Sequence, residues 1–205
     1  MTSFNNIIGK IEEFIRRYYT NELIKGSILF FAIGLLYFII VIFIEHLLWL
    51  DPTMRTLLFW AFIVVESALF IKFILIPLAH LFKLKKGIDH VEASKIIGKH
   101  FTEVNDKLLN VIQLKENKVE SELLLASINQ KSAELQPIPF KFAINFSQNL
   151  KYIKYALIPV TIILLSYVSG KFYWFSDSYE RVVNFNTAYE PKKISISMRK
   201  LHLPN

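Results

Sequence analysis

The sequence predicts an all-α membrane protein in which three transmembrane helices carry a cytoplasmic helical hairpin between the second and third. Three observations predict it. The chain of 205 residues is 53% hydrophobic and 15% aromatic, too apolar for an ordinary soluble domain of that length. The apolar residues are clumped into three runs. Between the second and third run lies a mixed, lysine-rich stretch that carries helical periodicity.

The N-terminal segment, 1–25, is polar and holds four basic residues, Lys10, Arg16, Arg17 and Lys25. The first span, 26–50, begins with GSILFFAIGLLYFIIVIFI, which contains no charge and fourteen Leu, Ile, Phe or Val residues. At about −0.3 to −0.6 kcal/mol each, these favour insertion by roughly 4 to 8 kcal/mol. A cleaved signal peptide fits poorly. The leader contains Glu12, Glu13 and Glu22, the apolar core exceeds the usual ~7 to 15 residues, and Glu45, His46 and Trp49 stand where small cleavage-site residues belong.

The second span, 57–80, carries Glu66 near its centre, which costs about 3 kcal/mol, and Lys72, which snorkels toward the nearer interface. The third, 155–175, needs Phe172 to Phe175 to reach bilayer length, with Pro159 in its first turns.

The insert, 81–154, opens on the basic stop LFKLKKG. Ile97, Phe101, Val104, Leu108 and Val111 then recur at steps of four and three, one apolar face of a helix over 89–115. A second helix over 120–135 ends at Pro137-Ile138-Pro139. Connections of this length join antiparallel neighbours, hence a hairpin. In FKFAINFSQNLKYIKYA, Phe142, Phe146, Leu150 and Ile153 share a face: either a helix lying in the membrane interface, or aromatics that cover the hairpin. In the tail, 176–205, Ile194, Ile196 and Met198 alternate like the start of a strand.

Charge orients the chain. Twelve basic residues lie in 81–154 and only Arg55 lies in the connector between the first two spans. The positive-inside rule therefore places the N-terminus and insert in the cytoplasm and the tail outside. Six basic residues from Lys171 onward are a mild conflict, outweighed by the first hairpin. Trp49, Trp60, Tyr173 and Trp174 mark the outer interface. The formal charge of +7 accompanies no nucleic-acid motif, so the expected partner is the lipid bilayer with its anionic cytoplasmic lipid, joined by other membrane helices or an envelope complex.

Candidate chemistry is thin. With no cysteine there is no thiol nucleophile, and His90 and His100 lack the spacing of a metal pair. Neither a phosphate-cradling loop nor a nucleophile constellation occurs, so no cofactor and no catalytic residue is expected. Glu45 and His46 point in different directions from one helix end and read as solvated interface residues. Glu66 is the one residue that invites a role, because an intramembrane carboxylate often marks a polar contact or ion path. If the first two spans form a hairpin near Asp51 and Pro52, Tyr37 lies at the depth of Glu66 and its hydroxyl can satisfy it. A structural or partner-binding role fits better than a proton relay.

The segments IIGKHFTEVNDKLLNVIQL, SELLLASINQKSAELQPIPF, NLKYIKYALIPV and EHLLWLDPTMRTLLFW together resemble the N-terminal region of a family of very long bacterial envelope membrane proteins of unknown function. The resemblance implies a pair of membrane helices, a cytoplasmic helical insert and a third membrane helix ahead of a large extracytoplasmic part. It extends to about Pro191. Past NTAYEP the family pattern gives way to KKISISMRKLHLPN, so the chain reads as a truncated or frame-shifted product, or as one piece of a split gene. The family supplies no activity to carry over, and the leading expectation from the chain as a whole is a non-catalytic, three-span inner-membrane anchor. The alternative is a subunit of a transport or export complex that uses Glu66.

Overall fold

The computed structural model describes residues 3–116 and 121–189, and among these every regular element is helical. The strand-like alternation at Ile194, Ile196 and Met198 lies outside the described residues. The elements are α1 (Ser3–Leu48), α2 (Pro52–Phe70), α3 (Ile76–Leu81), α4 (His90–His100), α5 (Asn105–Glu116), α6 (Glu122–Leu135), α7 (Leu150–Val168) and α8 (Tyr173–Val183). Three stretches are long and apolar enough to cross a membrane: Ser3–Leu48, Pro52–Leu81 and Phe140–Val168.

The 46-residue α1 is the organising element, about 69 Å long at 1.5 Å per residue. The N-terminal segment is thus no separate piece but the first half of the first apolar helix. There Ile7, Ile11 and Phe14 recur at helical spacing and are fully buried against Ala93 and Ile97 of α4, Leu108 and Val111 of α5, Ile128 and Leu135 of α6, and Phe140. This is an ordinary hydrophobic core at the polar end of the molecule. The apolar face expected over 89–115 is buried, but on two helices rather than one. Phe101 leaves helical geometry at φ −111° and ψ 87°, and α5 starts afresh at Asn105. Asp89 caps α4 through its Oδ1, which accepts from the Glu92 amide, and the Ser121 hydroxyl caps α6 by accepting from Leu124.

Pro52–Leu81 is a single rod with one irregularity, a π-helical turn at Ile71–Leu75. Pro77 supplies the reason, because it lacks the N–H that would bond the Phe73 carbonyl in α-helical register. That carbonyl faces Gly26 of α1, where a Cβ would lie 2.1 Å from the oxygen. Only glycine lets the two backbones approach so closely. Further along, Tyr19 stacks on His80 at 4.9 Å, and its hydroxyl accepts from the Ile88 amide, so α1 also holds the chain leaving α3.

The segment 140–149 is not the interfacial helix of the first expectation. It forms two 3-10 turns, Phe140–Ala143 and Phe146–Asn149, with Phe140 sealing the polar core and Arg17 stacked over Phe146. α7 begins five residues before 155 and ends seven before 175. Gly170 (φ +67°) stops it in a Schellman cap, in which Lys171 N–H bonds the Ser166 carbonyl and Gly170 N–H bonds that of Tyr167. Tyr173 to Phe175, expected in the third span, instead open α8, which turns back onto α1 and α2.

The three membrane-length stretches do not form a closed bundle. α1 touches both α2–α3 and α7, whereas α2–α3 and α7 do not touch each other. Tyr19 and Gly26 meet the former, while Asn21 and Lys25 meet Asn149 and Tyr152 beside the latter. Asn21 is about 200° around the helix from Tyr19. The three helices therefore form a layer with α1 in the middle, and α8 straps one end of it.

Candidate functional site: a buried carboxylate between two arginines

The strap is where the sequence reading was furthest from the structure. α1 ends at Leu48, Trp49 takes a left-handed φ of 46°, and Asp51 caps α2 by accepting from the Met54 amide, with Pro52 at the first helical position. This tight turn sets Arg55 of α2 beside Glu45 of α1, with Nη2 at 3.2 Å from Oε1. From α8, Arg181 Nε donates to the same oxygen at 2.9 Å. Glu45 is 0% exposed, Arg55 1% and Arg181 4%. The expectation of a solvated pair describes His46, which is exposed, but is wrong for Glu45.

The remaining donors of both guanidinium groups are largely used. Arg55 donates from Nη1 to the Thr187 carbonyl at 2.8 Å and from Nη2 to that of Leu50 at 2.6 Å. Arg181 Nη2 donates to the Ser178 hydroxyl, and its guanidinium lies 4.0 Å from the centre of the Trp49 ring. Trp49 Nε1 in turn donates to the Tyr189 carbonyl. Glu45 Oε2 and Arg55 Nε are buried without a hydrogen bond among the described residues. Around the ions, Val41, Ile42 and Val182 form a second apolar core with Tyr37, Phe38, Phe62 and Phe175. Removing three charges from water is costly, and here the cost is offset by mutual attraction, two main-chain acceptors, the Ser178 hydroxyl and two ring faces, Trp49 at Arg181 and Tyr189 at Arg55.

What this arrangement does is hold α1, α2 and α8 together. The carboxylate is bonded by two groups that cannot give up a proton at physiological pH.

The two residues singled out beforehand are placed nearby but not joined. Glu66 lies against Gly34, where a Cβ would come 2.8 Å from Oε2, and its Oε1 is buried without a hydrogen bond among the described residues. Tyr37, one turn further along α1, stacks its ring on Phe62 at 5.8 Å. No hydrogen bond joins the two among the described residues. Gly34 thus makes the space, a role the sequence reading did not give it.

An open cleft of about 460 Å³ is lined by Asn5, Asn6, Gly9, Lys10, Glu13 and Gln136 at the polar end. Its one cation, Lys10, is already bonded to the carbonyls of Gln136 and Ile138.

No family model, curated protein or solved structure matches the chain.

Sequence signals for the ion cluster did exist. Arg181 falls on the apolar face of α8, with Trp174, Phe175, Ser178 and Val182 at steps of one, three, three and one around it. An arginine on a buried face needs an acid, and Glu45 is the acid at the matching end of α1.

Proposed function

We propose that this chain is a non-catalytic multi-pass anchor of the bacterial inner membrane and the N-terminal part of a longer envelope protein. The polar core of α4, α5, α6 and the first half of α1 would lie in the cytoplasm, and the α8 strap would face the periplasm. The observation that carries this reading is α1 itself. One unbroken helix of 46 residues provides three residues of the polar core and, at its other end, the carboxylate on which Arg55 and Arg181 converge. A scaffold of that kind ties one face of a membrane to the other. The basic residues concentrated in 1–25 and 81–154 support the orientation, and the resemblance to long envelope proteins supports the broader role.

Reporter fusions after Ser121 and after Asn205 test it. Cytoplasmic activity at the first and periplasmic activity at the second are expected, and a cytoplasmic Asn205 overturns the topology.

The second reading, a subunit of a transport or export complex, rests on Glu66, whose buried Oε1 has no hydrogen bond among the described residues. Glu66→Gln separates the two. An anchor keeps its assembly and function, whereas loss of transport with normal assembly favours the complex.

A further inference from the structure

The end of α3 carries a feature that neither the core nor the ion cluster uses. Lys83 N–H bonds the His80 carbonyl and Leu84 N–H bonds that of Ala79. This is the same Schellman cap that ends α7, but with lysine at the left-handed position (φ 56°) where α7 has Gly170. The cap folds the chain back, so Leu84 sits beside the last turn of α3 instead of leading away from it. Lys83 also reaches across to Glu12 of α1 at 2.9 Å, which ties the cap to the polar core.

The fixed cap displays what a folded domain ordinarily hides. Leu84 is 82% exposed and Phe82 65%. Beside them Lys85 and Lys86 are exposed and meet no acidic side chain among the described residues. Across α1, the first turns of α7 present Lys151 and Lys154 in the same state, each amine resting over the neighbouring tyrosine ring at 5.1 Å. Both sites flank the place where the membrane-length helices meet the polar core.

We infer that the α3 cap docks onto anionic phospholipid, with Phe82 and Leu84 dipping among the headgroups while Lys85 and Lys86 bind lipid phosphate. Unpaired amines next to two large apolar side chains, held in place at the end of an apolar helix, complement such a surface in both charge and polarity. Lys151 and Lys154 form the second edge of that surface. The inference rests on the membrane insertion proposed above and adds a lipid preference to it.

Because the natural chain has no cysteine, Leu84→Cys and, as a control on the polar core, Leu123→Cys each accept a single environment-sensitive fluorophore. The full chain is reconstituted in phosphatidylcholine vesicles with or without phosphatidylglycerol, and carbonate extraction first establishes that it is integrated. Failure to integrate refutes the anchor. In integrated protein, brominated lipid should quench the label at 84 at least about twofold more than at 123 when phosphatidylglycerol is present, and Lys85→Glu with Lys86→Glu should abolish that excess. Equal quenching of both labels by aqueous iodide, or bromolipid quenching at 84 that ignores phosphatidylglycerol, overturns the lipid site.

Discussion

Glu45 shows how one side chain can be worth more by what it neutralises than by what it attracts. Truncating it leaves Arg55 and Arg181 buried without a counter-charge on that side. Glu45→Ala should therefore cost about 3 to 5 kcal/mol in reversible unfolding of the detergent-solubilised protein. Replacing all three ions together by Leu or Met should cost far less, because no charge is then stranded. The glycines make an opposite-signed pair. Nothing lies within 4 Å of a Cβ built on Gly9, while one built on Gly26 strikes the Phe73 carbonyl. Gly9→Ala should stabilise α1 by about 0.5 to 1 kcal/mol, and Gly26→Ala should destabilise by about 1 to 3 kcal/mol, both read as shifts of the same unfolding midpoint. The pairing of Glu45 with its arginines and the closeness at Gly26 do not follow from local sequence. Glu45 and Arg181 are 136 residues apart, and Gly26 gains its meaning only from Pro77 on another rod.

At the scale of elements, the legible parts were those whose cause is local. Bilayer-length apolar runs announced the three long helices, Pro137 announced the end of α6, and the buried positions Ile97, Val104, Leu108 and Val111 were visible as a stripe. The errors came where tertiary contact overrode a run. Hydropathy alone joined Phe172 to Phe175 to the third span, but Gly170 can turn left-handed at no steric cost and α8 gains a core by folding back. The spacing of Ile7, Ile11 and Phe14 is in the sequence too, although no expectation was drawn from it, and such a stripe shows only that a face is buried, not against what. The two Schellman caps offer a test of backbone strain. At the α3 cap, Lys83→Gly should be more stable than Lys83→Ala by about 1 kcal/mol in the same unfolding assay, since both lose the exposed pair with Glu12 and only glycine relieves φ 56°.

For the molecule as a whole, α1 fixes the polar core and the helix layer in one angular register. Tyr19 must meet His80 while Gly26 meets Phe73, two contacts with a single opposing rod. Inserting one alanine between Glu22 and Leu23 turns one half of α1 about 100° against the other and lengthens it by about 1.5 Å. Both contacts cannot survive, so limited proteolysis should cut the inserted variant in the 82–89 connection under conditions where the parent resists. Gly9→Ala, which alters α1 without turning one half against the other and meets open space, should leave the digestion pattern unchanged.

The bonds that Arg55 and Trp49 make to Thr187 and Tyr189 are to main-chain oxygens. Such bonds do not read side chains. Position 187 can therefore drift in evolution while the chain stays moored to Arg55, whereas Tyr189 is gripped twice, by Trp49 through its carbonyl and by the Arg55 guanidinium 5.3 Å from the centre of its ring, so the mooring is inherited independently of sequence at one position and not at the other.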